Sequence, residues 1–165
     1  MTSFKELTDG MTLPAPSRSD PLLVAAIEES MSLATYIPKE LKDGVKEALL
    51  SSIAKEKREP LRLHEYIEQH LKVEVHTASK LALDLTRKLY SNYSKQKMLR
   101  LGLKKFKWLH TGGGNNAFHE HIAMSDQIYR FDDPPIINSK TGQRGFPSDL
   151  PGCRCKIITV IEFSD

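Results

Sequence analysis

The sequence predicts an α+β protein, with an N-terminal helical region of about four helices followed by a small, loop-rich β module. Three observations predict it. Apolar residues recur at spacings of three and four up to residue 102. At Gly102 that period stops, and residues 104–110 alternate polar and apolar side chains. Beyond them Pro134, Pro135, Gly142, Gly145, Pro147, Pro151 and Gly152 cut the chain into short pieces. The expected division is a flexible arm over 1–19, a helical region over 20–102, and a β module carrying a His/Cys cluster over 103–165. No internal repeat is present.

The arm is rich in Pro, Ser, Thr and Gly and has no sustained apolar period. Asp20 before Pro21 reads as an N-cap with proline in the first helical position, opening a helix to about residue 34. Pro38 opens the next, whose buried stripe is Leu41, Val45, Ala48, Leu49 and Ile53. After the charged connection 55–59, a shorter helix over 60–72 buries Leu63, Ile67 and Leu71. Thr77 is expected to cap a fourth helix, which turns Leu81, Leu85, Leu89, Asn92 and Tyr93 inward and stops at Gly102. Strands are expected over 104–110, 127–131 and 156–163, the last rich in β-branched residues. The run 112–116 (GGGNN) reads as a turn or mobile loop.

With 165 residues, 39% hydrophobic and 27% charged, the chain has a globular balance rather than a disordered or collagen-like one. No apolar run reaches the roughly 18 residues that cross a bilayer. The start MTSFKELTDG has neither the basic nor the apolar region of a signal peptide, so no membrane partner is expected. The net charge of +3 hides a strong asymmetry: −3 over 1–79, +8 over 80–107 and −2 over 108–165. An acidic partner is therefore sought at the middle block. There Lys95, Lys97, Arg100, Lys104, Lys105 and Lys107, interleaved with Tyr90, Tyr93, Phe106 and Trp108, could meet DNA phosphates or an acidic protein surface. The plainer reading of that block is a solvated helix face with aromatic residues in the core.

Metal-type ligands concentrate in the β module. His119 and His121 with Cys153 and Cys155 make a suitable tetrahedral set for a structural zinc. A C-x-C pair in extended chain points both thiols to one face and needs a bend, which Gly152 can supply. His119 and His121 share a face if their segment is also extended. The alternative is ordinary loop histidines and small buried cysteines. A module with so few apolar side chains has little core, which favours a metal or cross-link. The only two cysteines stand one residue apart, so they staple no distant parts of the fold.

Two further readings carry less. His119 or His121 beside Asp132, Asp133 and Arg154 would suit phosphodiester hydrolysis, but no spacing selects that chemistry. The plainer account of Asp132-Asp133-Pro134-Pro135 is a turn. The triple glycine 112–114 lacks the Lys-Ser/Thr pair of a phosphate-binding loop.

The ordered string is more specific than any one motif. Phe106-x-Trp108-x-His110-Thr111-Gly112, then His121, Phe131-x-Asp133-Pro134-Pro135, Gly145-x-Pro147 and Cys153-Arg154-Cys155 closely resembles the phage Mu F-like minor head proteins, the phage head morphogenesis family. The resemblance covers roughly residues 38–163 and is strongest over the last sixty. It implies a low-copy virion component, made in the host cytoplasm and carried in the head of a tailed phage or prophage. Such a protein acts in head morphogenesis and in packaging or delivering DNA. Its implied partners are the portal or major head protein, DNA and other copies of itself in an oligomer. The matching positions are Trp108, His121, Asp133, Pro134, Pro135, Gly145, Pro147, Cys153, Arg154 and Cys155, with Arg154 expected to support Asp133. Many relatives have an Arg-rich loop with Pro before the histidine, where this chain has Asn115-Asn116-Ala117-Phe118. The expectation is a non-enzymatic assembly protein. The alternatives are a metal-dependent nuclease or toxin-type effector on the same module, or a basic DNA-binding protein.

Overall fold

The computed structural model describes residues 17–54, 61–111 and 119–162. Most of the expected arm, the connection 55–59, Pro60, the turn 112–116 and residue 163 of the last expected strand lie outside them. Helix α1 (Pro21–Leu33) begins as its sequence dictates: the Asp20 carboxylate accepts from the Leu22 N–H at 2.9 Å, with proline in the first position. A 3₁₀ turn, Lys39–Leu41, leads into α2 (Lys42–Ala54), and α3 (Leu61–Leu71) and α4 (Val75–Arg100) follow. Thr77 does not cap α4. The Ala78 N–H already bonds the Glu74 carbonyl at 2.9 Å, so the helix starts at Val75 and Thr77 lies inside its first turn.

The stop at Gly102 forms as expected. Gly102 takes φ +77°, its N–H bonds the Leu99 carbonyl at 3.0 Å, and the Leu103 N–H bonds the Met98 carbonyl at 3.1 Å. These are the two bonds of a Schellman cap, which needs a left-handed residue at that position. The four helices enclose one core. Leu23, Ile27 and Met31 of α1 meet Val45 and Leu49 of α2, Leu63 and Ile67 of α3, and Leu85 and Leu89 of α4.

After Gly102 the chain is a small antiparallel assembly. Strand β1 (Lys105–Leu109) is the middle of a three-stranded sheet, with β2 (Ile128–Arg130) on one side and β5 (Lys156–Thr159) on the other. Trp108 stands opposite Ile157, and Phe106 opposite Tyr129. Three elements were not anticipated: the short helix α5 (His119–Met124) and the pair β3 (Ile136–Asn138) with β4 (Gln143–Arg144). A second core gathers Phe106, Trp108, Met124, Ile137, Leu150, Cys153, Cys155 and Ile157, with Met98 reaching in from α4.

The segment 147–152 docks this module on α4 through polar contacts. Lys88 is fully buried and donates to the Asp84 carboxylate (3.0 Å) and to the Ser148 and Leu150 carbonyls (3.1 and 3.3 Å). Those three partner groups match the three donors of an ammonium. Ser91 Oγ donates to the Pro147 carbonyl at 2.7 Å, and the Gly152 N–H donates to Asp84 Oδ1 at 2.8 Å.

Candidate metal centre

Gly152 takes φ +79° and turns the chain into the C-x-C run. There Cys153 and Cys155 face inward and Arg154 outward, the alternation of an extended segment. Helix α5 brings His121 to the two sulfurs. Its Nδ1 lies 3.5 Å from Cys153 Sγ and 3.9 Å from Cys155 Sγ, and all three residues are buried. Among the described residues, His121, Cys153 and Cys155 form a cluster that could hold a metal ion.

The second ring nitrogen fixes the state of the first. His121 Nε2 lies 2.7 Å from the Ile137 carbonyl, which can only accept, so Nε2 carries the hydrogen. Nδ1 therefore turns its lone pair or a second proton toward the thiols. This is the outer-sphere arrangement typical of metal-bound histidines. The cluster also favours a thiolate. A hydrogen bond from Cys155, opposed by burial and joined by one from His121, holds Cys153 well below the usual thiol range, while the same shared bond and burial push Cys155 up. For His121, burial disfavours the charged ring, but Cys153 and the Ile137 carbonyl outweigh it and raise the pKa.

Trp108 packs against the site. It is fully buried, stands edge-on to the His121 ring at 5.1 Å, and its indole N–H has no hydrogen-bond partner. That N–H lies near the Cys155 sulfur and favours a thiolate there, without meeting it in a well-formed hydrogen bond. An orphaned buried donor beside two thiols and a correctly oriented imidazole fits an anionic, metal-bound sulfur pair better than a neutral apolar core.

Of the four expected ligands, the structure brings together three. His119 is exposed and outside the cluster, because its segment is helical and residues two apart on a helix point to nearly opposite sides. A different histidine approaches. His110, just past β1, places Nδ1 3.4 Å from Cys155 Sγ. It stands in the ordered motif, yet the spacing gave no reason to prefer it over His119.

The other motif positions mostly build the module. Gly145 is buried where a Cβ would lie 2.6 Å from Asp149 Oδ2 and 2.7 Å from Ile137 Cδ1. Pro147 is buried and its carbonyl is held by Ser91. Asp133 does not meet Arg154. It is exposed and pairs with Arg144 at 3.1 Å, which also donates to the Pro134 carbonyl at 2.8 Å. Pro134 and Pro135, both half-buried, lead into β3.

The expected basic face is partly spent internally. Lys95 is buried, paired with Glu29 and set 4.2 Å over the Phe146 ring. This removes it from a solvent-facing contact surface. Lys105 pairs with Glu162 at 2.7 Å, and Lys97 lies over Tyr93 at 4.1 Å. Arg100 and Lys104 are exposed and Lys107 half-buried. Sequence reasoning missed Asp84 and Lys88, whose i,i+4 spacing resembles an ordinary surface pair. No family model matches the chain, and no curated protein or solved structure matches it.

Proposed function

We propose that this chain is a minor head protein of a tailed phage or prophage, bound to the portal or major head protein and acting in head assembly and DNA packaging or delivery. Its C-terminal module is stabilised by one structural zinc. The supporting observation is where the ordered motif falls: Trp108, His121, Gly145, Pro147, Cys153 and Cys155 are all buried in one module. A string that builds a core suits a shared scaffold more than a shared reaction.

The donor set supports zinc. Zinc–sulfur bonds near 2.3 Å and zinc–nitrogen bonds near 2.0 Å put neighbouring N and S ligands about 3.5 Å apart in a tetrahedron. The three N···S separations here are 3.4, 3.5 and 3.9 Å. His121, Cys153 and Cys155 would bind directly, and His110, which is beside Cys155 but outside that three-residue cluster, would move in to complete the set. Bound zinc would tie the end of β1, α5 and the C-x-C run together. Burial of His121 and both thiols favours this closed role over a hydrolytic one, which needs a coordination position open to water and substrate.

The assembly reading is tested on gradient-purified particles induced from the encoding host. The protein is expected at low copy in portal-containing heads, and its deletion is expected to leave heads that fail to assemble or to fill. Its absence from the particles, with normal heads in the deletion strain, would overturn the reading.

A further inference from the structure

The three-stranded sheet of the module has a second face that neither core uses. In β1 the buried side chains are Phe106 and Trp108, so Lys105, Lys107 and Leu109 point the other way. Residues opposed across antiparallel strands share a face. The register sets Ile128 and Ile158 on either side of Lys107, Arg130 beside Lys105, and Lys156 beside Leu109. Ile128 is 51% and Ile158 37% exposed. We infer that this face docks an acidic amphipathic helix of a partner protein, laid along β1 between the two isoleucines.

The charge of the face suits an acidic partner. Lys105, Lys107, Arg130 and Lys156 stand on it. Two carboxylates beyond the strand ends are already engaged. Asp132 accepts from Nε and Nη2 of Arg130 (2.7 and 2.6 Å), and Glu162 accepts from Lys105 Nζ (2.7 Å). Asp133 goes to Arg144 instead. Asp126, in the turn before β2, is the remaining acid of these segments. Even with Asp126 counted on this face, four cations meet three carboxylates, and neither Lys107 nor Lys156 has an ion-pair partner among the described residues. An incoming carboxylate therefore gains two lysines without breaking an existing pair.

The spacing suits a helix. Neighbouring strands lie about 4.8 Å apart, so the isoleucines on the two outer strands frame a strip about 10 Å wide, close to the diameter of a helix with its side chains. An apolar ridge of that helix takes both isoleucines out of water. The methylene stem of Lys107 packs beneath the ridge while its ammonium reaches a flanking carboxylate. Nucleic acid fits the face less well. Phe106, Trp108 and Tyr129 belong to the opposite face, so no ring of the sheet is left here for a base to stack on. Register alone builds this face, whether or not the chain serves in a phage head.

The test is a nitrogen-15 NMR titration of the full chain with three helical peptides of about 15 residues. One carries a leucine stripe flanked by glutamates, the second has lysine in place of glutamate, and the third has serine in place of leucine. The leucine–glutamate peptide is expected to shift the amides of residues 105–109, 128–130 and 156–159 first, with a Kd on the order of 100 μM. The other two are expected to bind at least about tenfold more weakly. Lys107→Glu should lower affinity for the leucine–glutamate peptide at least about tenfold and reverse the preference toward the lysine peptide. Ile158→Ser, at an exposed position of an outer strand, reports the apolar contact if Lys107→Glu disturbs β1, and should weaken binding at least about fivefold. Lys80→Glu, exposed in the N-terminal half of α4, is the control and should stay within about twofold. No shift at a peptide concentration on the order of 1 mM, shifts centred elsewhere, or equal binding by the lysine or serine peptide would overturn the inference. Displacement of the peptide by a short DNA duplex or by phosphatidylglycerol vesicles, more readily than by excess peptide, would assign the face to phosphate groups and overturn it as well.

Discussion

At the scale of single residues, the C-terminal module depends on a few side chains with no slack around them. Gly145 is one, since a methyl group there would press on Asp149 and Ile137. Gly145→Ala is expected to cost about 2 kcal/mol in urea unfolding, the usual range for an overpacked core. Asp149 is another. Burial pushes its carboxyl up to about 6, against the Phe146 N–H and the charges of Lys95 and Lys88. A carboxyl raised in the folded state contributes stability that is complete below about pH 4 and lost as the pH rises through about 6. The loss is on the order of 3 kcal/mol at neutral pH. Asp149→Asn keeps an acceptor for the Phe146 N–H, so the difference between its stability-versus-pH curve and that of the wild type should fall across that window. The two histidines separate cleanly in the same way. His110→Ala is expected to weaken zinc binding at least about tenfold in competition with a chromophoric chelator, whereas His119→Ala leaves it within about twofold.

At the scale of elements, helix boundaries were the most legible part of the sequence. Asp20 with Pro21 and the glycine at 102 are local signals whose chemistry completes itself in one turn. Nothing lies within 4 Å of the position a Gly102 Cβ would take, so Gly102→Ala tests backbone conformation alone. It should cost about 1 kcal/mol by denaturant titration. The elements that were not legible are those too short to show a period. Strands β3 and β4 have three and two residues, and α5 has six. Reading α5 as extended had a consequence for the site, because residues two apart share a face in a strand and separate in a helix. That one difference put His119 in the expected ligand set and left His110 out. Cys153, Cys155 and His121 were legible because ligand chemistry and a bend-forming glycine do not depend on the neighbouring period. The row of Ile128, Lys107 and Ile158 was not, since only strand pairing brings three separate segments side by side.

At the scale of the whole molecule, α4 belongs to both cores. Its inward face carries Leu85 and Leu89 into the helical region, and Met98 into the module. Lys88 and Asp84 join the two through the segment 147–152. Lys88→Ala leaves the Asp84 charge buried with its main partner gone, which typically costs on the order of 3 kcal/mol. The single tryptophan lies in the module, while the far-ultraviolet circular dichroism is dominated by the helices. Trp108 fluorescence and helical signal are therefore expected to melt together in the wild type and at separate temperatures in Lys88→Ala. Coincident melting in both would show that the polar bridge does not couple the two cores.

The most direct test of the central claim, that a buried metal holds the C-terminal module together, is elemental analysis of the purified protein with thermal melts before and after chelation. One zinc per chain, with the Trp108 transition moving to lower temperature on chelation, is the predicted result. A metal-free protein whose melt is unchanged by added zinc or by chelator would contradict it and return His121, Cys153 and Cys155 to a packing role.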